Sequence, residues 1–422
     1  MCSNDFRPGL PHATFKFLLA LAVSILPSAV AISQAQTLTV LYSFKGSPDG
    51  STPTGLVRDR AGNLYGVTYG GGVSFGGTAF KLSLSGKESV LYSFLAGYGA
   101  SPDSEPTLGE KNALYGTTMY GGAYDTGAIF KITKKGDETV LYSFPGEGCC
   151  GNTANPNAMI WDEQGNLYGS TTMGGLAGGC FGAGCGSVFK LDPTGKVTVL
   201  YNFTGGKDGF YPSGAIARDS AGNLYGATAY GGDFSCFPDG CGVVFKVDTA
   251  GKETVLHTFT GTGGDGAQPW SGLVRDKEGA LYGTTLDGGT GPACTSMENG
   301  CGTVFKISRT RKETILHSFT GTGADDPPIY ATLVLDTEGN IYGTTPGGGS
   351  QNCNSGCGAV FMLDPTGKDT IFYEFTGGTN GFAPETGVIL DAEGNIYGTT
   401  AGGGDLECDG GNGCGTIFKL TR

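Results

Sequence analysis

Seven acidic or amide residues recur at matched places along this chain: Asp49, Asp103, Asn152, Asp208, Asp265, Asp325 and Asn380, each three or four residues before a proline. Oxygen donors gathered around one opening would coordinate a hard divalent cation such as calcium, or accept hydrogen bonds from sugar hydroxyls. The same residue types, followed by glycine, also build turns by accepting their own backbone amides, so both uses stay open. Aromatic residues stand beside them at Phe210 and Tyr211, Trp270, Tyr330 and Phe382, with Tyr69, Tyr120 and Tyr230 in a neighbouring loop. Flat apolar faces next to hydroxyl acceptors suit carbohydrate, and packing between repeats is the alternative use.

Twelve of the 13 cysteines follow Cys2, and ten of them form short-range pairs: Cys180 with Cys185, Cys236 with Cys241, Cys294 with Cys301, Cys353 with Cys357, and Cys408 with Cys414. Each pair falls in the loop before a recurrent V-F-K phrase. A zinc site of this kind wants four ligands and no histidine lies near, so local disulfides are the expectation. Cys149 and Cys150 are adjacent and stay open between a vicinal disulfide and two thiols.

Catalytic chemistry is thinly supplied. After residue 35 the chain keeps only His257 and His317, each replacing a tyrosine in the same recurrent strand. A Ser/His/Asp triad or a histidine metal cluster thus lacks its central residue, and no nucleophile elbow or phosphate-binding loop is present. No catalytic residue and no metal-ligand set is assigned. Carboxylates working with a divalent cation are the one form of catalysis the composition leaves.

These residues are positioned by three phrases, each repeated seven times in the same order. An L-Y-G step is centred on Tyr65, Tyr115, Tyr168, Tyr225, Tyr282, Tyr342 and Tyr397. A V-F-K step is centred on Phe80, Phe130, Phe189, Phe245, Phe305, Phe361 and Phe418. A V-L-Y-S-F step ends at Phe44, Phe94, Phe144, Phe203, Phe259, Phe319 and Phe375. Each is short, rich in β-branched and aromatic residues, and bounded by turn formers, so each reads as a strand. A fourth strand precedes L-Y-G and turns back through Asp-to-Asn hairpins such as 219–223 and 391–395. The unit is a four-stranded antiparallel meander of about 55 residues, the size of a propeller blade. The 79 glycines among 422 residues suit so many tight turns.

The prediction is an all-β, seven-bladed β-propeller over residues 36–422. Thr37 to Phe44 is a lone V-L-Y-S-F strand, and the last repeat ends at V-F-K, so the N-terminal strand is expected to complete the final blade and close the ring. The pattern G-N-L-Y-G-T-T, V-F-K-L and G-K-E-T-V-L-Y-S-F resembles the GloVer tandem-repeat family of exported bacterial proteins. That resemblance spans about Thr37 to Leu420 and implies no known activity. Members vary in a carboxy-terminal anchor, and no anchor segment follows Leu420.

Arg7 and Lys16 precede an apolar run from Phe17 to Leu26 and small residues at Ser28 to Ala31, so residues 1–35 read as a signal peptide. No membrane span is expected after its cleavage. A formal charge of -13 repels phosphate backbones and argues against nucleic acid. The loops after L-Y-G-T-T and after V-L-Y-S-F grow and diversify, and in a meander both fall on one face, usually the binding face of a repeat protein. The expectation is a secreted, periplasmic or cell-surface monomer that binds an extracellular glycan or protein through its disulfide-bearing face. A carboxylate- and metal-dependent hydrolase or lyase on the same scaffold is the alternative.

Overall fold

A computed structural model describes residues 36–95, 100–145, 154–175, 179–236, 238–291, 300–321 and 331–421. The expected signal peptide lies outside them, as do Cys149, Cys150, Asn152, Cys294, Asp325 and Tyr330. Seven four-stranded antiparallel sheets follow one another along the chain, with short 3-10 turns and no α-helix among the described residues. No helix there is long and apolar enough to cross a membrane.

Each sheet has the order read from the repeat. In the first blade, Gly50–Arg58 is innermost, followed by Leu64–Gly71, Thr78–Leu82 and outermost Glu88–Ser93. The L-Y-G and V-F-K strands carry runs of buried residues, whereas the V-L-Y-S-F strands are half-buried to exposed, as sheet edges on the perimeter must be. In the last blade the outer position is taken by the first strand, Thr37–Ser43, which pairs with Thr416–Thr421 from Thr37 opposite Thr421 to Ser43 opposite Thr416.

Blades pack through one repeated contact. The phenylalanine ending each outer strand meets edge-on the V-F-K phenylalanine of the following blade: Phe44 with Phe80, Phe94 with Phe130, Phe144 with Phe189, Phe203 with Phe245, Phe259 with Phe305, Phe319 with Phe361 and Phe375 with Phe418. Their centroid separations run from 4.9 to 5.6 Å. The glycine of L-Y-G makes room for that ring, since a Cβ at Gly116 would stand 2.5 Å from Phe130 Cζ. Such edge-to-face pairs add about 0.5–1.5 kcal/mol each beyond the area they bury.

The hairpin between the first two strands is fastened by its aspartate. Asp391 accepts the Asn395 amide (2.8 Å), the Asn395 side-chain NH2 (2.8 Å) and the Tyr397 hydroxyl (3.0 Å). The tyrosine of L-Y-G reaches the hairpin aspartate in the same way at Asp59, Asp162, Asp219, Asp276 and Asp336. In the second blade, which has no aspartate there, Tyr115 packs against Trp161 at 4.8 Å instead.

Candidate functional site: the mouth of the central channel

In six blades the described residues show the inner strand entered through a proline, with the residue before it held in the left-handed region. Thr52, Ser101, Asn155, Tyr211, Gln268 and Ala383 have φ between 45° and 57°. A non-glycine residue there costs of order 1–3 kcal/mol and persists only where its surroundings fix it. Its amide is donated to the preceding blade: Tyr211 to the Cys185 carbonyl, Gln268 to Cys241, Ala383 to Cys357 and Thr52 to Cys414, at 2.8–3.1 Å. Its carbonyl accepts from its own blade, as Leu286 donates to Gln268 and Ala401 to Ala383. The proline carbonyl then takes a hydroxyl from the preceding blade, with Thr117 donating to Pro156, Ser213 to Pro269 and Thr399 to Pro53.

This frame aims the next residue inward. Thr54, Asp103, Asn157, Ser213, Trp270 and Glu385, each directly after its proline, all line one cavity of about 460 Å³ whose walls come from all seven blades. Glu105 and Tyr69 complete its chemistry. Burial, and then the charge of Glu385, push the Asp103 carboxyl up to about 6. Burial pushes Glu105 up to about 7 against the Gly387 amide, which it accepts at 3.0 Å. Glu385 is raised by burial as well. The mouth therefore brings together three raised carboxyl groups, Glu105 half-buried and Asp103 and Glu385 open to solvent, with half-buried Trp270 and exposed Tyr69.

The residues singled out from the sequence divide into two places. Asp103 is on the channel, because the blade's ring proline is Pro102 and not Pro106, which shifts it out of register with its supposed equivalents. Asp49, Asp208, Asp265 and Asn380 are absent from the channel lining and fasten the turn after the outer strand. Asp49 accepts the Tyr42 hydroxyl at 2.8 Å and the amides of Lys45 and Gly50; Asp208 accepts the Tyr201 hydroxyl at 2.9 Å and the amides of Thr204 and Gly206. Asn380 donates to the Thr376 hydroxyl at 3.0 Å. Trp270 joins an aromatic run on Tyr230 (5.5 Å) that continues to Tyr211 and Phe210, so it has both an inward and a packing role. Phe382 stands apart, paired with Gly402 across a β-bridge and lining a separate groove of the first and last blades.

Disulfides join the cysteines as spaced: Cys180 to Cys185, Cys236 to Cys241, Cys353 to Cys357 and Cys408 to Cys414. Cys301 is also disulfide-bonded. Cys185, Cys241, Cys357 and Cys414 are buried and offer their carbonyls to the next blade, so these four links hold the loops against the channel frame as well as shaping them. Disulfides of this number fit an extracellular protein.

Sequence comparison decides the family. The Gloeobacter/Verrucomicrobia repeat matches residues 29–181, 108–296 and 291–422 in tandem. The chain belongs to that family. Comparison with curated protein sequences finds none similar to it. Among solved structures this repeat chain is similar to virginiamycin B lyase from Staphylococcus aureus, with a TM-score of 0.58 at 13% identity over 92% of this chain and 99% of that one. A catalytically inactive histidine-to-alanine form of that lyase with quinupristin matches at 0.58 and 14%, with the same coverage. The extracellular domain of the putative one component system BT4673 from B. thetaiotaomicron matches at 0.54 and 11%, over 90% of this chain and 39% of that one. At these identities the likeness is one of fold.

Proposed function

We propose that this propeller is an exported binding module whose ligand, a polar molecule of the carbohydrate class, sits at the channel mouth on the disulfide-bearing face. The observation that carries the reading is the sharing of one cavity by the Trp270 and Tyr69 faces and the Asp103, Glu105 and Glu385 carboxyl groups. Aromatic faces cover the apolar side of a sugar ring while carboxyl oxygens accept its hydroxyls. The disulfides support a secreted, periplasmic or surface location. The likeness in fold to the extracellular domain of a putative one component system is compatible with an extracellular propeller.

A lyase or hydrolase is the second reading, favoured by the raised carboxyl of Glu105, which at about 7 could give or take a proton near neutral pH, with the carboxylate of Asp103 beside it. The lyase of similar fold is inactivated by loss of a histidine. Here His257 and His317 lie on outermost strands and neither lines the channel. Binding is therefore preferred.

A glycan array probed with the full chain, with and without calcium, tests both. Retention that falls at least tenfold in Trp270→Ala and in Asp103→Asn supports the channel as the binding site. Undiminished retention in both variants sinks it, and product release from a retained glycan replaces the binding reading with the enzymatic one.

A further inference from the structure

Outside the channel, one group of described residues brings three ligand atoms within 4.8 Å of one another: His257, Asp265 and Glu313. His257 is on the outer strand Glu253–Thr258 of the fourth blade, Asp265 on the turn into the fifth, and Glu313 on the outer strand Glu313–Ser318 of the fifth. His257 Nε2 is 3.4 Å from Asp265 Oδ1 and 3.4 Å from Glu313 Oε1. Ligands about 2.0–2.1 Å from a tetrahedral ion are separated by roughly 3.3 Å, so the spacing suits zinc better than a direct hydrogen bond.

Two of the three ligands are aimed by neighbouring groups. Asp265 Oδ2 accepts both the amide and the hydroxyl of Thr260 at 2.8 Å, which turns Oδ1 toward the histidine. The His257 ring stands edge-on against Phe259 at 4.7 Å, which fixes its plane. Glu313 Oε1 is buried without a hydrogen-bond donor. The three side chains keep 14–17% of their surface, enough for water to supply a fourth ligand. Other blades provide the internal comparison. At the equivalent places Tyr42 faces Asp49 and Tyr201 faces Asp208, each closing the contact with a hydroxyl proton at 2.8–2.9 Å. Replacement of that hydroxyl by an imidazole nitrogen, with the two carboxyls kept, turns a hydrogen-bonded turn into a nitrogen and two-oxygen ligand set.

We infer that His257, Asp265 and Glu313 bind a zinc-class divalent cation that clamps the fourth blade to the fifth at the rim. The following blade repeats the residue types in sequence with His317, Asp325 and Asp369, of which Asp325 lies outside the described residues. The test therefore uses the His317→Tyr background, so that only the described site is read. After chelation, zinc is titrated by calorimetry and by thermal melting, and cobalt(II) is added as a probe whose visible absorption reports tetrahedral coordination. The inference expects one site of micromolar or tighter Kd, a zinc-dependent rise in Tm, and at least tenfold weaker binding in both His257→Tyr and Glu313→Gln. His257→Tyr restores the residue of the other blades, so its metal-free Tm serves as the folding control. Absence of zinc binding in the background, or unchanged affinity in the two folded variants, overturns the inference.

Discussion

Glu105 and Gly387 are joined across the ring: the Glu105 carboxyl accepts the Gly387 amide at 3.0 Å over 282 residues of sequence, linking the second blade to the seventh past the first. A Cβ at Gly387 would stand 2.6 Å from that oxygen, and one at Gly55 would stand 2.7 Å from Glu105 Cγ, so the side chain is enclosed where it crosses. Glu105→Ala strands a buried amide and should cost about 1–3 kcal/mol. Glu105→Gln, which still offers a carbonyl oxygen, should cost less than half as much. Chemical denaturation of the two variants checks the order; equal losses would show that acceptance of the Gly387 amide is not what the side chain contributes.

Stability should decline as pH rises through neutrality. Burial raises Glu88, Glu105 and Glu253 to about 7 and Asp103 to about 6. The folded chain then binds more protons than the unfolded chain between the ordinary carboxyl range and pH 7, so the slope there is negative. On the acid side the sign reverses. Burial raises the hairpin carboxyls of Asp59, Asp162, Asp219, Asp336 and Asp391, but hydrogen bonds, from asparagine first, outweigh it and leave them lowered. Their contribution is full above the ordinary aspartate value and lost as pH falls through the lowered one. The maximum Tm is thus expected at about pH 4 to 5, and a melting series with its maximum at pH 7 or above would contradict the assignment.

Gly116→Ala should destabilise by about 1–3 kcal/mol because the new methyl meets the Phe130 ring. Phe130→Leu removes that collision, so a double-mutant cycle should show the Gly116→Ala penalty shrinking once Phe130→Leu is also present. Additive losses would mean that the ring does not set the glycine.

Deletion of residues 37–44 removes the partner of Thr416–Thr421 and the Phe44 contact with Phe80. A fall in Tm of roughly 10 °C or more is expected from these losses. A deletion chain that melts with the parent would show that the last blade does not depend on this strand.

Cys353→Ser with Cys357→Ser should lower stability by about 2 kcal/mol, the loop-entropy value for so short a ring. Because the Cys357 carbonyl accepts the Ala383 amide, hydrogen exchange should quicken at Ala383 as well as in the loop. Faster exchange confined to residues 353–357 would separate the disulfide from the channel frame.

The repeat was readable because strands of period two, turn residues and phenylalanines recur in each blade under the same local demands. The hairpin turns could be placed from Asp and Asn alone, yet the tyrosine hydroxyl that locks them depends on a fold in which L-Y-G lies beside the turn. The channel was harder. Glu105 and Glu385 carry no local motif; the signal that would have found Glu385 is the column directly after each ring proline, where Thr54, Asp103, Asn157, Ser213, Trp270 and Glu385 differ most in chemistry, and Glu105 lies two residues beyond that column. Counting from Pro106 instead of Pro102 hid that column in the second blade. Nor could spacing show Glu313 meeting His257, since the two belong to outer strands of different blades.

Thr37 lies opposite Thr421 in one sheet, so the two ends of the described chain are neighbours, and every junction between blades is built from the same phenylalanine contact. A short linker between those ends, with new termini opened at an exposed tight turn such as 134–137, should give a circular permutant with the parent's sheets. The order in which the blades are synthesised would then be free to change, while their neighbours in space would not.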